Sequence, residues 1–166
     1  MTAAAAIHAS AVALDGRGLL ILGPAGAGKS ALALELIALG AALIADDLVR
    51  LAEVDGVLTA APVDDGATGL IEARGIGLLR LSTAGAAPVR LVMDLGRPET
   101  ERLPPRRRWR GAPLLLRPSP LSPAALLLAL KAGGPEDPEA EIGRLLRGRA
   151  GRPKVPGNGS ESTESG

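Results

Sequence analysis

Gly23-Pro24-Ala25-Gly26-Ala27-Gly28-Lys29-Ser30 sets glycines, a lysine and a hydroxyl at the spacing G-x-x-x-x-G-K-S. That spacing suits the capture of a polyanion. Glycines let consecutive backbone N–H groups turn toward phosphates, and a helix beginning at the lysine adds the positive end of its dipole. Lys29 can reach the β and γ phosphates of a nucleoside triphosphate, and the Ser30 hydroxyl can bind the accompanying magnesium ion. All eight residues, Gly23, Pro24, Ala25, Gly26, Ala27, Gly28, Lys29 and Ser30, are therefore candidate nucleotide-binding positions.

Asp46 and Asp47 acquire meaning from the chain between them and the loop. A helix of about eleven residues, Lys29 to Leu39, descends about 16 Å, and a strand of about five residues, Ala41 to Ala45, climbs back a similar distance. Both carboxylates thus return to the phosphate end. One could accept a proton from an attacking hydroxyl while the other steadies magnesium or water. A plain pair of turn aspartates is the alternative. Glu72 and Arg74 stand on alternate positions, and so on one face of any strand, ahead of Gly75-Ile76-Gly77, whose glycines allow close backbone approach. An ordinary surface ion pair would look the same. Asp94, ending the apolar run Val89 to Met93, also fits a magnesium-site acid, and spacing leaves that choice open.

Secondary structure must bring these groups together. Ile7 to Leu14 and Leu19 to Leu22 read as strands joined by Asp15-Gly16-Arg17-Gly18, which suits the positive φ of a tight hairpin. If Leu14 pairs with Leu19, His8 faces Ala25 beside the phosphate loop. A lone histidine is as often structural or exposed as functional. Lys29 to Leu39 is apolar all round, as a largely buried helix is, with Gly40 at its C-cap. Leu48 to Val54 and Val57 to Ala61 flank Asp55-Gly56 as a second hairpin. Pro62 to Gly69 reads as a loop and Pro98 to Pro113 as irregular chain, with Arg106-Arg107-Arg108-Trp109-Arg110 a solvated basic loop rather than a nucleic-acid patch. Ser122 as N-cap, Pro123 in the first turn and a stop at Gly133-Gly134-Pro135 delimit a helix. Glu139 to Leu146 reads as a short amphipathic helix. Residues 147–166, rich in Gly, Pro, Ser and Glu, read as a disordered tail behind one domain at 1–146.

Composition narrows the possibilities. A chain of 166 residues with 46% hydrophobic and 22% charged content is expected to form one globular α/β domain. Phe and Tyr are absent and Trp109 is the only aromatic, so Leu, Ile, Val and Ala must fill the core and base stacking is disfavoured. With no cysteine and His8 alone as an imidazole, neither a disulfide framework nor a thiolate or multi-histidine zinc site can be built, and any metal needs oxygen ligands. A net charge of +1 with interspersed signs gives no field to draw nucleic acid or a membrane. No Lys or Arg precedes Arg17, unlike a secretory signal, and the apolar stretches are too short to span a bilayer. A cytoplasmic location is expected.

Ile7-His8-Ala9-Ser10, Gly23 to Ser30, Ala45-Asp46-Asp47 and Ile71-Glu72-Ala73-Arg74-Gly75-Ile76-Gly77 together resemble the bacterial HPr kinase/phosphorylase family in identity, order and spacing. The likeness runs from residue 7 to residue 132. Such enzymes use ATP and magnesium to phosphorylate a serine of the small phosphocarrier HPr, and many reverse the step by phosphorolysis. The resemblance implies a single phosphate-loop kinase domain with a mixed β-sheet and β-hairpins, and an HPr-like protein as partner. It implies Asp47 as base in phosphorylation and acid in reverse, His8 and Lys29 as further active-site residues, and Ser30 and Glu72 as magnesium ligands. Asp46 matches the first of the aspartate pair, and Arg102 resembles a further catalytic arginine. The family's hexameric habit implies a homo-oligomer. The extra N-terminal domain of long forms is missing from this sequence, which is similar to the short form of α-proteobacteria. The basic glycine loop that long forms use in dephosphorylation is reduced to Arg117-Pro118-Ser119-Pro120, which favours the forward direction.

A small-molecule kinase resembling shikimate kinase is the enzymatic rival, and a nucleotide-sensing regulator the non-enzymatic one. The first needs a substrate-binding glycine run, which is not found, and an arginine-bearing lid, which the arginines of 97–110 could imitate. Intact Lys29, Ser30 and Asp47 argue against the second. No Asn-Lys-x-Asp element is present to read guanine.

Overall fold

A computed structural model of the chain describes residues 4–63 and 68–150. Contacts divide the chain into two compact units, Met1–Pro135 and Glu136–Gly166. The first unit carries a nine-stranded mixed sheet, a separate two-stranded hairpin and two helices. Its chain order is β1 (Ala5–His8), β2 (Ser10–Leu14), β3 (Arg17–Leu22), α1 (Lys29–Ala38), β4 (Ala42–Ala45), β5 (Leu48–Val54), β6 (Val57–Pro62), β7 (Leu70–Ala73), β8 (Gly77–Arg80), β9 (Ala87–Pro98), β10 (Arg107–Trp109), β11 (Ala112–Arg117) and α2 (Pro123–Ala132). The sheet runs β1-β5-β6-β9-β3-β2-β4, with β11 also beside β9 and β10 beside β11. β3 and β11 lie parallel to β9, and the remaining ladders are antiparallel.

Period-two alternation assigns the two sides of the sheet. Leu19 and Ile21 of β3 and Leu91 and Met93 of β9 join Leu32, Leu36, Leu126 and Leu130 of the helices in one buried cluster. Leu20, Val92, Ala11 and Ala13 point to the opposite side, where Val49, Leu51 and Ala60 complete a second cluster. The core is aliphatic, as the composition requires. Helix α1 buries only Leu32, Ala33 and Leu36 and leaves Ala31, Glu35, Ala38 and Leu39 exposed. The expectation of a largely buried helix is thus corrected: with α2 and the sheet on one side only, the outward Ala31, Ala38 and Leu39 remain in solvent. Gly40, at φ +114, follows the helix as expected and directs the chain into β4.

Both expected hairpins form, but the first has a shorter turn. Asp15 (φ 50) and Gly16 (φ 73) alone make the bend, so Leu14 pairs with Arg17 and not with Leu19. Asp55 and Gly56 repeat this geometry and pair Val54 with Val57. The expected single strand over Ile7 to Leu14 is two strands. At Ala9 the chain leaves the β5 ladder and enters the β3 ladder, and the Ala9 N–H donates to the Asp47 carbonyl at 3.1 Å.

The irregular stretch expected over Pro98 to Pro113 is also corrected. β9 continues past Asp94 to Pro98, and the basic run forms β10 with a turn at Arg110 (φ 46) and Gly111 (φ 84) into β11. Arg107 is consumed internally, its Nη1 donating to the Glu99 carboxylate at 2.5 Å, and the Glu99 side chain is 6% exposed. The Arg110 guanidinium lies over the Trp109 ring at 4.7 Å. Hydrogen bonds from the Glu101 N–H and then from Arg107 hold the Glu99 carboxyl below its usual range. A folded value below the unfolded one stabilises the fold above the unfolded pKa of about 4.3, and that contribution disappears as pH falls through the folded value. Glu99→Gln should therefore melt below wild type at neutral pH, with the gap closing in acid. Melting curves from pH 7 downward check this, and a gap independent of pH would contradict it.

Helix α2 has the expected ends: the Ser122 hydroxyl accepts from the Ala125 N–H at 3.2 Å, and Gly133 takes φ 87 at the C-cap. In the second unit, α3 runs Pro138–Ala150, four residues past the Leu146 end expected. Arg147, Arg149 and Ala150 are good helix formers with the arginines at the favourable negative end, so the helix persists where a tail was expected. The rest of that expected tail, 151–166, lies outside the described residues. No helix among the described residues is long and apolar enough to cross a membrane.

Candidate active site

The strand β3, the loop Gly23–Gly28 and helix α1 form the strand–loop–helix unit that the motif demands. Gly23 adopts φ 150, Gly26 φ 80 and Gly28 φ 97, and a Cβ on Gly23 would stand 3.0 Å from the Ala27 Cβ. The glycine spacing is therefore a backbone requirement. Gly28 caps α1 with no side-chain hydrogen bond, and the first turn holds no acid, so its N–H groups face the cleft without an internal anion. Lys29 Nζ donates to the Gly23 carbonyl at 2.8 Å and the Pro24 carbonyl at 3.1 Å, which lays the ammonium across the loop.

Strand β4 delivers Asp46 and Asp47 to this end as the length argument requires, and the two diverge. Asp46 turns inward: Ser30 Oγ donates to its Oδ1 at 2.9 Å and Oδ2 at 3.0 Å, and Ser10 Oγ donates to Oδ1 at 2.6 Å. Asp47 takes φ 67, which aims its carboxylate outward, 86% exposed. His8 Nδ1 lies 3.7 Å from Asp47 Oδ1. His8 thus reaches the site by pairing with Leu48 in the β1–β5 ladder, and not by facing Ala25 in the first hairpin as the register argument supposed.

A cleft of about 690 Å³ runs along the loop, lined among others by His8, Lys29, Ser30, Asp47, Glu72 and Arg74. A second groove of about 400 Å³ adjoins it, with Asp46, Leu48, Pro62, Leu70 and Leu78 in its walls. Ser30, Asp47 and Glu72 belong to both. Glu72 comes from β7, whereas Arg74 lies just beyond its end, so the two are not neighbours on one strand face, yet both reach the cleft.

Other expected residues do not converge. Arg102 is exposed in the segment between β9 and β10 and lines neither cavity. Asp94 sits mid-strand and accepts from the Gly96 N–H and from Arg97 Nε, each at 2.8 Å. Sequence reasoning gave Ser10 no role of its own, although it donates to Asp46 at this site, and a single hydroxyl in the run Ala9 to Leu14 was the available signal. Among the described residues no three His, Cys, Asp or Glu side chains converge on one point. The Ser30 hydroxyl beside Asp46 and the Glu72 carboxylate, which lines the same cleft, are instead oxygen donors of the kind a hard cation shares with phosphate and water.

The family model described as HPr Serine kinase C-terminal domain matches residues 1–95. A HPr kinase/phosphorylase of Bacillus velezensis is 40% identical over 97 residues, which cover 54% of this chain and 31% of the relative. Another, of Clostridium novyi, is 45% identical over 74 residues, covering 44% and 24%. The chain thus matches about a third or less of the length of these relatives. A solved structure described as the Hpr(Ser) kinase/phosphatase from Coxiella burnetii superposes with a TM-score of 0.64 at 23% identity, covering 88% of this chain and 97% of that one, which shows a shared fold.

Proposed function

This chain belongs to the HPr serine kinase C-terminal domain family, and from that premise we propose that it transfers the γ-phosphoryl group of ATP to a serine of an HPr-like phosphocarrier protein. The observation that carries this reading is the sharing of Ser30, Asp47 and Glu72 between the phosphate-loop cleft and the adjoining groove. A phosphoryl donor on one side and an acceptor hydroxyl on the other meet at those residues. Lys29 and the α1 N-terminus hold the triphosphate. Asp47, exposed at the junction, takes the proton from the attacking serine, with His8 beside it. Magnesium, when bound, neutralises the charge developing on the phosphates, and Ser30 and Glu72 are the residues that would hold it. The place of action in this reading is the cytoplasm, where ATP is supplied.

The groove favours a protein acceptor over a small anionic metabolite. Its described lining has no lysine or arginine to bind an acidic substrate and does include exposed Leu78. The deciding test is phosphotransfer from labelled ATP to the HPr-like protein of the same organism, with and without magnesium, beside a panel of small alcohols. Labelling of the alcohols alone would overturn the protein-kinase reading.

Glu72→Gln separates metal binding from nucleotide binding. Losing one anionic oxygen should raise the half-saturating magnesium concentration while metal-free ATP affinity stays unchanged. Asp94 is committed to Gly96 and Arg97, which supports Glu72 as the ligand. An unmoved magnesium requirement would transfer that role to Asp94.

A further inference from the structure

Ser10 is 1% exposed and is the one polar residue in the buried class among the described residues. Its neighbours Ala9 and Ala11 are fully buried alanines, so packing in this strand asks only for a small side chain. A hydroxyl buried at such a place costs free energy unless it is hydrogen-bonded. Its bond is the shortest at the site, 2.6 Å to Asp46 Oδ1, and Ser30 shares its own proton between both oxygens of the same carboxylate.

We infer that Ser10 is a positioning residue of the nucleotide site: through Asp46 it fixes the Ser30 hydroxyl in the orientation that receives the nucleotide-bound cation. The chain of cause is short. Asp46 follows the last residue of β4 and has two side-chain torsions, and a second donor on Oδ1 pins its carboxylate plane. The pinned carboxylate accepts the Ser30 proton, and the lone pairs of the Ser30 oxygen are left for a hard cation. Outer partners of this kind tune a metal site without touching the metal.

This inference rests on the nucleotide-and-magnesium reading of the cleft, and the experiment separates the two. ATP binding is measured by calorimetry on the full chain, in chelator and across a magnesium titration, for wild type, Ser10→Ala, Ser10→Cys and Ser10→Thr. Ser10→Ala should raise the half-saturating magnesium concentration about tenfold, the low end of outer-partner effects, and leave metal-free affinity unchanged. Ser10→Thr, which keeps the hydroxyl, should return it to near wild type. Ser10→Cys keeps the volume with a weaker donor and should fall between, so it reads the same effect if the alanine variant does not fold. A merely structural serine would lower the melting temperature and either spare both affinities or weaken them together, and that result overturns the inference. If wild type binds ATP no better with magnesium than without, the reading of the cleft fails and the inference with it. If wild type gains from magnesium and Ser10→Ala gains equally, the inference alone fails.

Discussion

Replacing Lys29 with alanine is expected to weaken ATP binding by about 10²–10⁴-fold and to remove phosphotransfer. The ammonium reaches the Gly23 and Pro24 carbonyls, so it spans the mouth of the loop where the outer phosphates lie in a bound triphosphate. Two charge-assisted hydrogen bonds to phosphate are each worth about 1.5–3 kcal/mol, and every 1.4 kcal/mol or so is tenfold in affinity. Among the described residues Arg74 is the only other lysine or arginine lining that cleft, and it sits on the β7–β8 hairpin at a different place. The loop itself is shaped by glycine dihedrals and by the turn from the Ala27 N–H to the Pro24 carbonyl, so the variant should keep its fold and melt close to wild type. Calorimetry with ATP and labelling of the acceptor check both halves. Undiminished labelling would contradict the assignment of the phosphate loop.

The loop was legible in the sequence because its geometry is local: positive φ at glycine and a helix start at Lys29 need no distant partner. The turns at Asp15-Gly16 and Asp55-Gly56 were visible for the same reason. Register was not visible, since four turn-like residues at 15–18 hide a two-residue bend, and the switch of ladders at Ala9 is decided by β5, far away in sequence. That is how His8 came to be placed near the loop by an argument about the wrong ladder. Pro and Arg density masked β10 and β11, whose pairing depends on the parallel neighbour β9 and on the Glu99–Arg107 pair. At the site, helix and strand lengths were enough to return the aspartates to the loop. The division between them was not legible, because it follows from the single left-handed φ of Asp47 and from a serine two positions after His8.

Asp47→Asn should bind ATP as wild type does and transfer the phosphoryl group about 10²–10⁴-fold more slowly, the contribution of a positioned general base. The substitution isolates the charge. Asparagine tolerates φ 67 as aspartate does, and the side chain is 86% exposed, so neither strain nor burial confuses the result. Direction follows from what surrounds this carboxylate. Reversal by phosphorolysis requires inorganic phosphate to be held beside the phosphoserine while its oxygen attacks phosphorus, and the products are pyrophosphate and a serine that regains a proton. Holding that dianion needs several cations. Lys29 and Arg74 line the phosphate cleft, the adjoining groove has no lysine or arginine among its described lining residues, and neither Arg102 nor Arg117 lines either. The wild-type chain is therefore expected to act mainly as a kinase. Phosphorylated acceptor is supplied with millimolar phosphate and magnesium, and pyrophosphate release is followed beside the forward rate. Release as fast as phosphorylation would overturn this bias and assign the phosphate site to arginines that reach the groove only when the acceptor is bound.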